Sequence, residues 1–264
     1  MSTPAHALRD NLTMLRRSLL HARRYPSLTL NVLLTPVVLL LLFVYVLGSA
    51  MSAGINGGHA DRAGYVAYLV PGILLMTVGM ISLGTAVSVS SDMTEGIMAR
   101  FRTMAISRAS VLIGHVIGSV IQTMLALVLI LGIGLAIGFR PDATPVEWLA
   151  AAALMALFSL ALTWIAVGIG LVSPNPEGAS NLGLPLTMLP MLSSAFVPVG
   201  TMPDGFRWFA EYQPFSPAIE TLRGLLLGSG IGTTNAVLAA AWSLGLTLLG
   251  YLWAKALFNR EPRQ

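Results

Sequence analysis

Cysteine is absent from the 264 residues, and charge is scarce: only 10% of the chain is Asp, Glu, Lys or Arg. The first absence excludes disulfides, thiolate chemistry and cysteine-based metal sites. The second separates the chain from soluble domains, in which about 25% of residues are charged. Catalytic and nucleotide motifs are missing as well. No GxxxxGK[ST] phosphate loop occurs, nor HExxH, nor GxSxG. Ser82, Ser88, Ser90 and Ser91 cluster in sequence without a positioned base. Small polar residues in apolar helices more often pack helices together. A net charge of +4 does not suggest nucleic acid. In such a chain arginines near helix ends report orientation first.

What the sequence has instead is hydrocarbon. Hydrophobic residues make up 55% of it, with a mean hydropathy of +0.78. Several apolar runs reach the roughly 18–20 residues that cross a bilayer as a helix. The fold class expected is all-α, a polytopic membrane protein. Six spans are expected, near 28–50, 66–90, 112–138, 147–172, 182–200 and 234–257. Pro185, Pro190 and Pro198 interrupt the fifth, so kinks are expected there. The first run follows five arginines and is too long for a signal-peptide core. No cleavage site follows it, so it is expected to be a retained span.

Residues 7–25 are amphipathic. Leu8, Leu12, Leu15 and Leu19 fall on one helical face, with Arg9, Arg16 and Arg23 on another. The pattern predicts an interfacial helix, leucines inward and arginines toward anionic headgroups. A cytoplasmic helix packed on protein is the competing reading. Basic residues then give orientation. Arg9, Arg16, Arg17, Arg23, Arg24, Arg100, Arg102, Arg108, Lys255, Arg260 and Arg263 fall on one side of the six-span scheme. Arg62, Arg140, Arg207 and Arg223 fall on the other. The positive-inside rule predicts that both termini are cytoplasmic.

The spans carry almost no ionisable residues. Asp92, Glu95 and His115 lie near the inner ends, Glu147 and Glu220 near outer boundaries. Proton- or sodium-coupled carriers commonly place carboxylates at mid-depth, although broken helices and backbone carbonyls can serve instead. If the chain pumps, its energy is expected to arrive through another polypeptide. Gly114/Gly118 and Gly134/Gly138 fit GxxxG, which reads as close helix packing or as a dimer face. Gln122 and Thr123 suit a hydrogen bond across helices or a lining position.

Two segments between spans stand out. The loop "SDMTEGIMARFRTMAISR" at 91–108 runs from acidic to basic residues, which suits a short helix dipole. Met98, Phe101 and Met104 add an apolar strip at spacings of three. Partner contact and simple topological anchoring both fit this loop. The long segment at 197–235 gathers Phe206, Trp208, Phe209, Tyr212 and Phe215, with a short apolar stretch at Leu222, Leu225, Leu226 and Leu227. Short helices lying on or dipping into the outer leaflet are expected, or else a loop held by an aromatic belt.

In ordered blocks the chain resembles the permease subunit of ABC-2-type exporters, especially the actinobacterial daunorubicin-resistance-like branch. The blocks are "LRRSLLHARRYPSLTLNVLLTPVVLLLLFVYVLG", "YLVPGILLMTVG", "DMTEGIMARFRTMAISR" and "FVPVGTMPDGFRWFAEYQPFSPAIETLRGLLLG". The resemblance spans nearly the whole length. It implies one ABC-2-type transmembrane domain over 1–264 that forms a homodimer in the plasma membrane. It also implies a pair of separate ATPase subunits, which bind ATP and Mg; this chain itself needs no cofactor. The coupling helix docking on the ATPase maps to about Asp92–Ser107. Its candidates are Asp92, Glu95, Met98, Arg100, Phe101 and Arg102. Many relatives have a more charged version there, whereas Met93 and Thr94 stand here, so no salt bridge is assigned. The outer re-entrant helices map within 202–230, with Glu211, Pro214, Glu220 and Arg223 as candidate residues. The implied cargo is a hydrophobic or amphipathic drug, antibiotic or lipid. Glycan export and a membrane assembly role without cargo are the rival expectations. Phe43, Tyr45, Trp164 and Phe196 are scattered in sequence and form no stacking series for sugars.

Overall fold

A computed structural model describes residues 26–46, 62–95, 108–230 and 232–259. The expected interfacial helix at 7–25 lies outside the described residues, as do positions 96–107 of the charged loop. Among the described residues the chain is helical throughout. The elements are α1 (Pro26–Tyr45), α2 (Arg62–Thr94), α3 (Arg108–Ala136), α4 (Pro145–Val172), α5 (Pro176–Leu182), α6 (Leu184–Met188), α7 (Asp204–Tyr212), α8 (Phe215–Leu227) and α9 (Thr233–Asn259). Four of these, α2, α3, α4 and α9, are long and apolar enough to cross a membrane.

The helix ends follow local chemistry. Thr144 caps α4 with a capping box. Its backbone N–H donates to the Glu147 Oε2 at 2.7 Å, and the Glu147 N–H donates back to its hydroxyl at 3.4 Å. Pro145 occupies the first turn, where its missing N–H costs nothing. At the end of α3, Gly138 adopts φ +113°, which lets Phe139 N–H donate to the Gly134 carbonyl at 2.8 Å. Arg140 then donates to the Leu135 carbonyl at 2.7 Å, a cation at the negative end of the helix.

The core centres on α2 and α4. Tyr65, Leu69, Ile73 and Leu74 of α2 are fully buried, as are Phe158 of α4 and Phe215, Ile219 and Leu222 of α8. Phe158 and Phe215 meet edge to face, ring centroids 5.1 Å apart. The α4–α9 contact has its own aromatic pair, Trp164 and Tyr251, at 5.1 Å and 84°. The faces of α9 that carry Val237, Leu244, Leu248 and Leu249 are open, as lipid-facing positions require. Gly134 touches Val70 within the chain, so this glycine packs α3 against α2.

The expected fifth span at 182–200 is not one continuous helix. It is a passage of short pieces: α6, a 3-10 turn at Leu189–Leu192, unwound residues, and a 3-10 turn at Val199–Thr201. The prolines explain the break, since each removes a donor from the ladder. The passage lies directly on α2. A methyl group on Gly72 would sit 2.6 Å from the Ala195 carbonyl oxygen, and one on Gly79 would collide with that of Leu186. Only glycine permits this approach.

Candidate functional site

A broken passage in an apolar surrounding leaves backbone carbonyls that must be answered by side chains. Thr187, Ser193 and Thr201 do this from within the passage, and three residues do it from outside. Gln213 donates to the Leu189 carbonyl at 3.1 Å. The Tyr68 hydroxyl of α2 donates to the Ser194 carbonyl at 2.8 Å. Arg223 of α8 donates to the same carbonyl at 3.0 Å and to the Tyr68 carbonyl at 3.1 Å.

Arg223 is the centre of this node. It is 8% exposed, and its guanidinium lies over the Tyr68 ring, 3.7 Å from the centroid. Such stacking is favourable where the cation is desolvated. Its Nη1 meets the Glu220 carboxylate at 2.5 Å, one helical turn away. A charge buried this far is tolerable only when paired and hydrogen-bonded. Arg suits the role because its planar fork serves several acceptors at once. Ser216 extends the node to α7. It accepts from the Ser194 N–H at 3.1 Å and donates to the Ala210 carbonyl. One cluster thus joins α2, the broken passage, α7 and α8.

A cleft of about 310 Å³ opens beside the node, lined by Tyr68, Arg207, Glu211, Glu220, Arg223 and Asn235 among others. The sequence candidates Glu211, Glu220 and Arg223 therefore come together. Pro214 caps the start of α8 and does not line the cleft. Arg223, counted among outer basic residues in the sequence, is turned into the protein. Tyr68, Ser194 and Ser216 went unnoticed as site residues. The available signal was the proline-broken run itself, whose carbonyls had to find donors.

At the other end of α2 the candidate Asp92 contacts His115 of α3, Oδ2 to Nε2, at 3.0 Å. Thr85 and Ser119 share a hydrogen bond of 2.7 Å across the same pair of helices. Glu95 follows α2 and donates its N–H to the Ser91 carbonyl at 2.9 Å. Met98, Arg100, Phe101 and Arg102 lie outside the described residues.

Residues 9–227 match the family model for the ABC-2 type transporter. The chain belongs to that family. It is a membrane permease subunit of an ABC-type exporter, and a multi-pass membrane protein. Among its relatives is the daunorubicin resistance ABC transporter permease protein DrrB1 of Streptomyces coeruleorubidus. The two are 28% identical over 247 residues, 92% of this chain and 81% of that relative. A second is the probable doxorubicin resistance ABC transporter permease protein DrrC of Mycobacterium tuberculosis. It is 23% identical over 184 residues, 67% of this chain and 66% of its own length. In this ABC-2 permease no group of three or more His, Cys, Asp or Glu suited to a metal occurs among the described residues. Of the scattered aromatics, Phe43 and Phe196 stack at 4.6 Å, joining α1 to the broken passage.

Proposed function

We propose that the chain moves hydrophobic or amphipathic drugs, antibiotics or lipids outward, driven by ATP hydrolysed in a separate ATPase subunit. The observation that carries this reading is the placement of charge. Among the described residues, no Asp or Glu lies in the middle of α2, α3, α4 or α9. A carrier without such a relay fits energy delivered by a partner. The drug-resistance names of its relatives support the cargo class.

The full assembly in this reading is a homodimer with two ATPase subunits. Each copy has six crossings, with α1 and the broken passage completing the four long helices. The whole chain is one transmembrane domain. Both termini and the 91–108 loop face the cytoplasm, and the 202–230 segment faces outward as re-entrant helices. Residues 7–25 lie in the inner interface. Asp92, Glu95, Met98, Arg100, Phe101 and Arg102 form or position the ATPase contact. The Asp92–His115 pair holds the stem of that loop. No catalysis occurs in this chain.

Glycan export is disfavoured by the one close pair among the scattered aromatics, since Phe43 and Phe196 cover each other's faces. The test is copurification from native-like membranes, followed by ATPase and efflux assays in vesicles. A copurifying ATPase stimulated by amphipathic drugs or lipids is the expected result. Stimulation by lipid-linked sugars would move the assignment to glycans. An ATPase indifferent to this chain would leave a membrane assembly protein.

A further inference from the structure

The cleft beside Arg223 carries a charge pattern that export alone does not use. Its walls bear two cations, Arg207 and Arg223, and two anions, Glu211 and Glu220. Arg223 and Glu220 satisfy each other at 2.5 Å. Arg207 and Glu211 are exposed, and neither makes an ion pair among the described residues. They stand four residues apart on α7, hence on one face with Cβ atoms about 5–6 Å apart. Arginine before the acid is the less favourable order for a mutual pair. One free cation and one free anion therefore share a mouth whose wall charges cancel.

A purely anionic ligand would meet two carboxylates there. A purely cationic one would meet Arg207 and Arg223. A ligand with both charges a few ångströms apart satisfies both sides. Around α7, Phe209 (40% exposed) lies opposite this face, with Trp208 at 70% and Tyr212 at 44% on the flank between. Aromatics of this kind settle at headgroup level in a bilayer. Pro198 and Val199 complete the cleft with apolar surface.

We infer that this cleft binds a phosphate–ammonium zwitterion, the headgroup of a phosphatidylethanolamine-type lipid in the outer leaflet. The phosphate sits on Arg207 and the ammonium on Glu211. The bound headgroup braces α7, which the node grips through Ser216 and the Ala210 carbonyl. The inference rests on the reading that residues 202–230 face outward.

The full-length protein in nanodiscs of equal parts phosphatidylethanolamine and phosphatidylglycerol provides the test, with retained lipid counted by native mass spectrometry. Phosphatidylethanolamine should be preferred about tenfold, the worth of one charge-assisted hydrogen bond. Glu211→Gln should abolish the preference, whereas Arg207→Gln, which removes the phosphate contact common to both lipids, should lower retention of both. Both positions are exposed, so both variants should fold, which circular dichroism checks. Equal retention of the two lipids by the unaltered protein, an unchanged preference in Glu211→Gln, or unchanged retention in Arg207→Gln overturns the inference. Binding of O-phosphoethanolamine without lipid preference assigns the site to a soluble zwitterion and overturns the lipid source. Placement is tested separately. The chain lacks cysteine, so Gly205→Cys, in open space on α7, gives a single label site. Labelling by an impermeant maleimide on intact cells is expected. Labelling only from the cytoplasm sinks the outward placement whatever the lipid result.

Discussion

The two ends of α2 hold charge in different ways. Near Tyr68, Arg223 is sunk against an aromatic ring, two backbone carbonyls and a carboxylate, and it ties α2, the broken passage and α8 together. Near Asp92, one ion pair with His115 joins two unbroken helices, both side chains about 15% exposed (16% and 14%). The contrast follows from the backbone. Where α2 and α3 run side by side, their own ladders satisfy the peptide groups and a side-chain pair is an addition. Where the passage at 189–201 is broken, side chains replace the ladder. Charge at the first place is an accessory, and at the second it is a structural member.

That difference can be broken experimentally, and five variants should grade it. Arg223→Met should cost most, about 3 kcal/mol, because it leaves the Glu220 carboxylate without its partner and takes one donor from each of the Tyr68 and Ser194 carbonyls. A large drop in the unfolding temperature of the purified protein, with export lost, is expected; near-wild-type stability would refute the node as an anchor. Gly79→Ala should cost about 1–3 kcal/mol, since the methyl group displaces the Leu186 backbone. Gly84→Ala is its control, because a methyl there meets nothing within 4 Å. Similar losses from both would show that the contact with the broken passage is unimportant. His115→Ala should cost about 1–2 kcal/mol, because it removes one partner of a mostly buried carboxylate and no donor to a broken backbone, and a loss as large as that of Arg223→Met would erase the contrast. Glu95→Ala with Arg102→Ala should leave stability unchanged while drug-stimulated ATPase activity of the complex falls. Intact coupling would return the 91–108 loop to a topological anchor.

The long helices were legible because their signal is local. Expected spans at 66–90, 112–138, 147–172 and 234–257 correspond to α2, α3, α4 and α9, with ends shifted by a few residues. Hydropathy over some twenty residues is enough for that; of the first expected span at 28–50, α1 covers the part up to Tyr45, and 47–50 lie outside the described residues. The prolines correctly marked 182–200 as irregular. What they could not give was the partner. The bond from Arg223 to Tyr68 crosses 155 positions and that from Tyr68 to Ser194 crosses 126. No periodicity encodes pairings at such separation. The candidates Glu211, Glu220 and Arg223 were found through family resemblance, whereas Tyr68 and Ser216 needed the fold.

The same separations set an order of assembly. The broken passage leaves the ribosome before Gln213, Ser216 and Arg223 do. Until those residues arrive, the Leu189 and Ser194 carbonyls each lack a donor, from Gln213 and Arg223 respectively, and the Ser194 N–H lacks its acceptor on Ser216. The α2 and α4 helices can settle as soon as they are made, but this portion cannot. The nascent permease therefore carries its least finished backbone in the broken passage until α8 docks. Quality-control proteases and insertion factors meet the chain at that stage, so variants of the node should be cleared during biogenesis before they fail in transport.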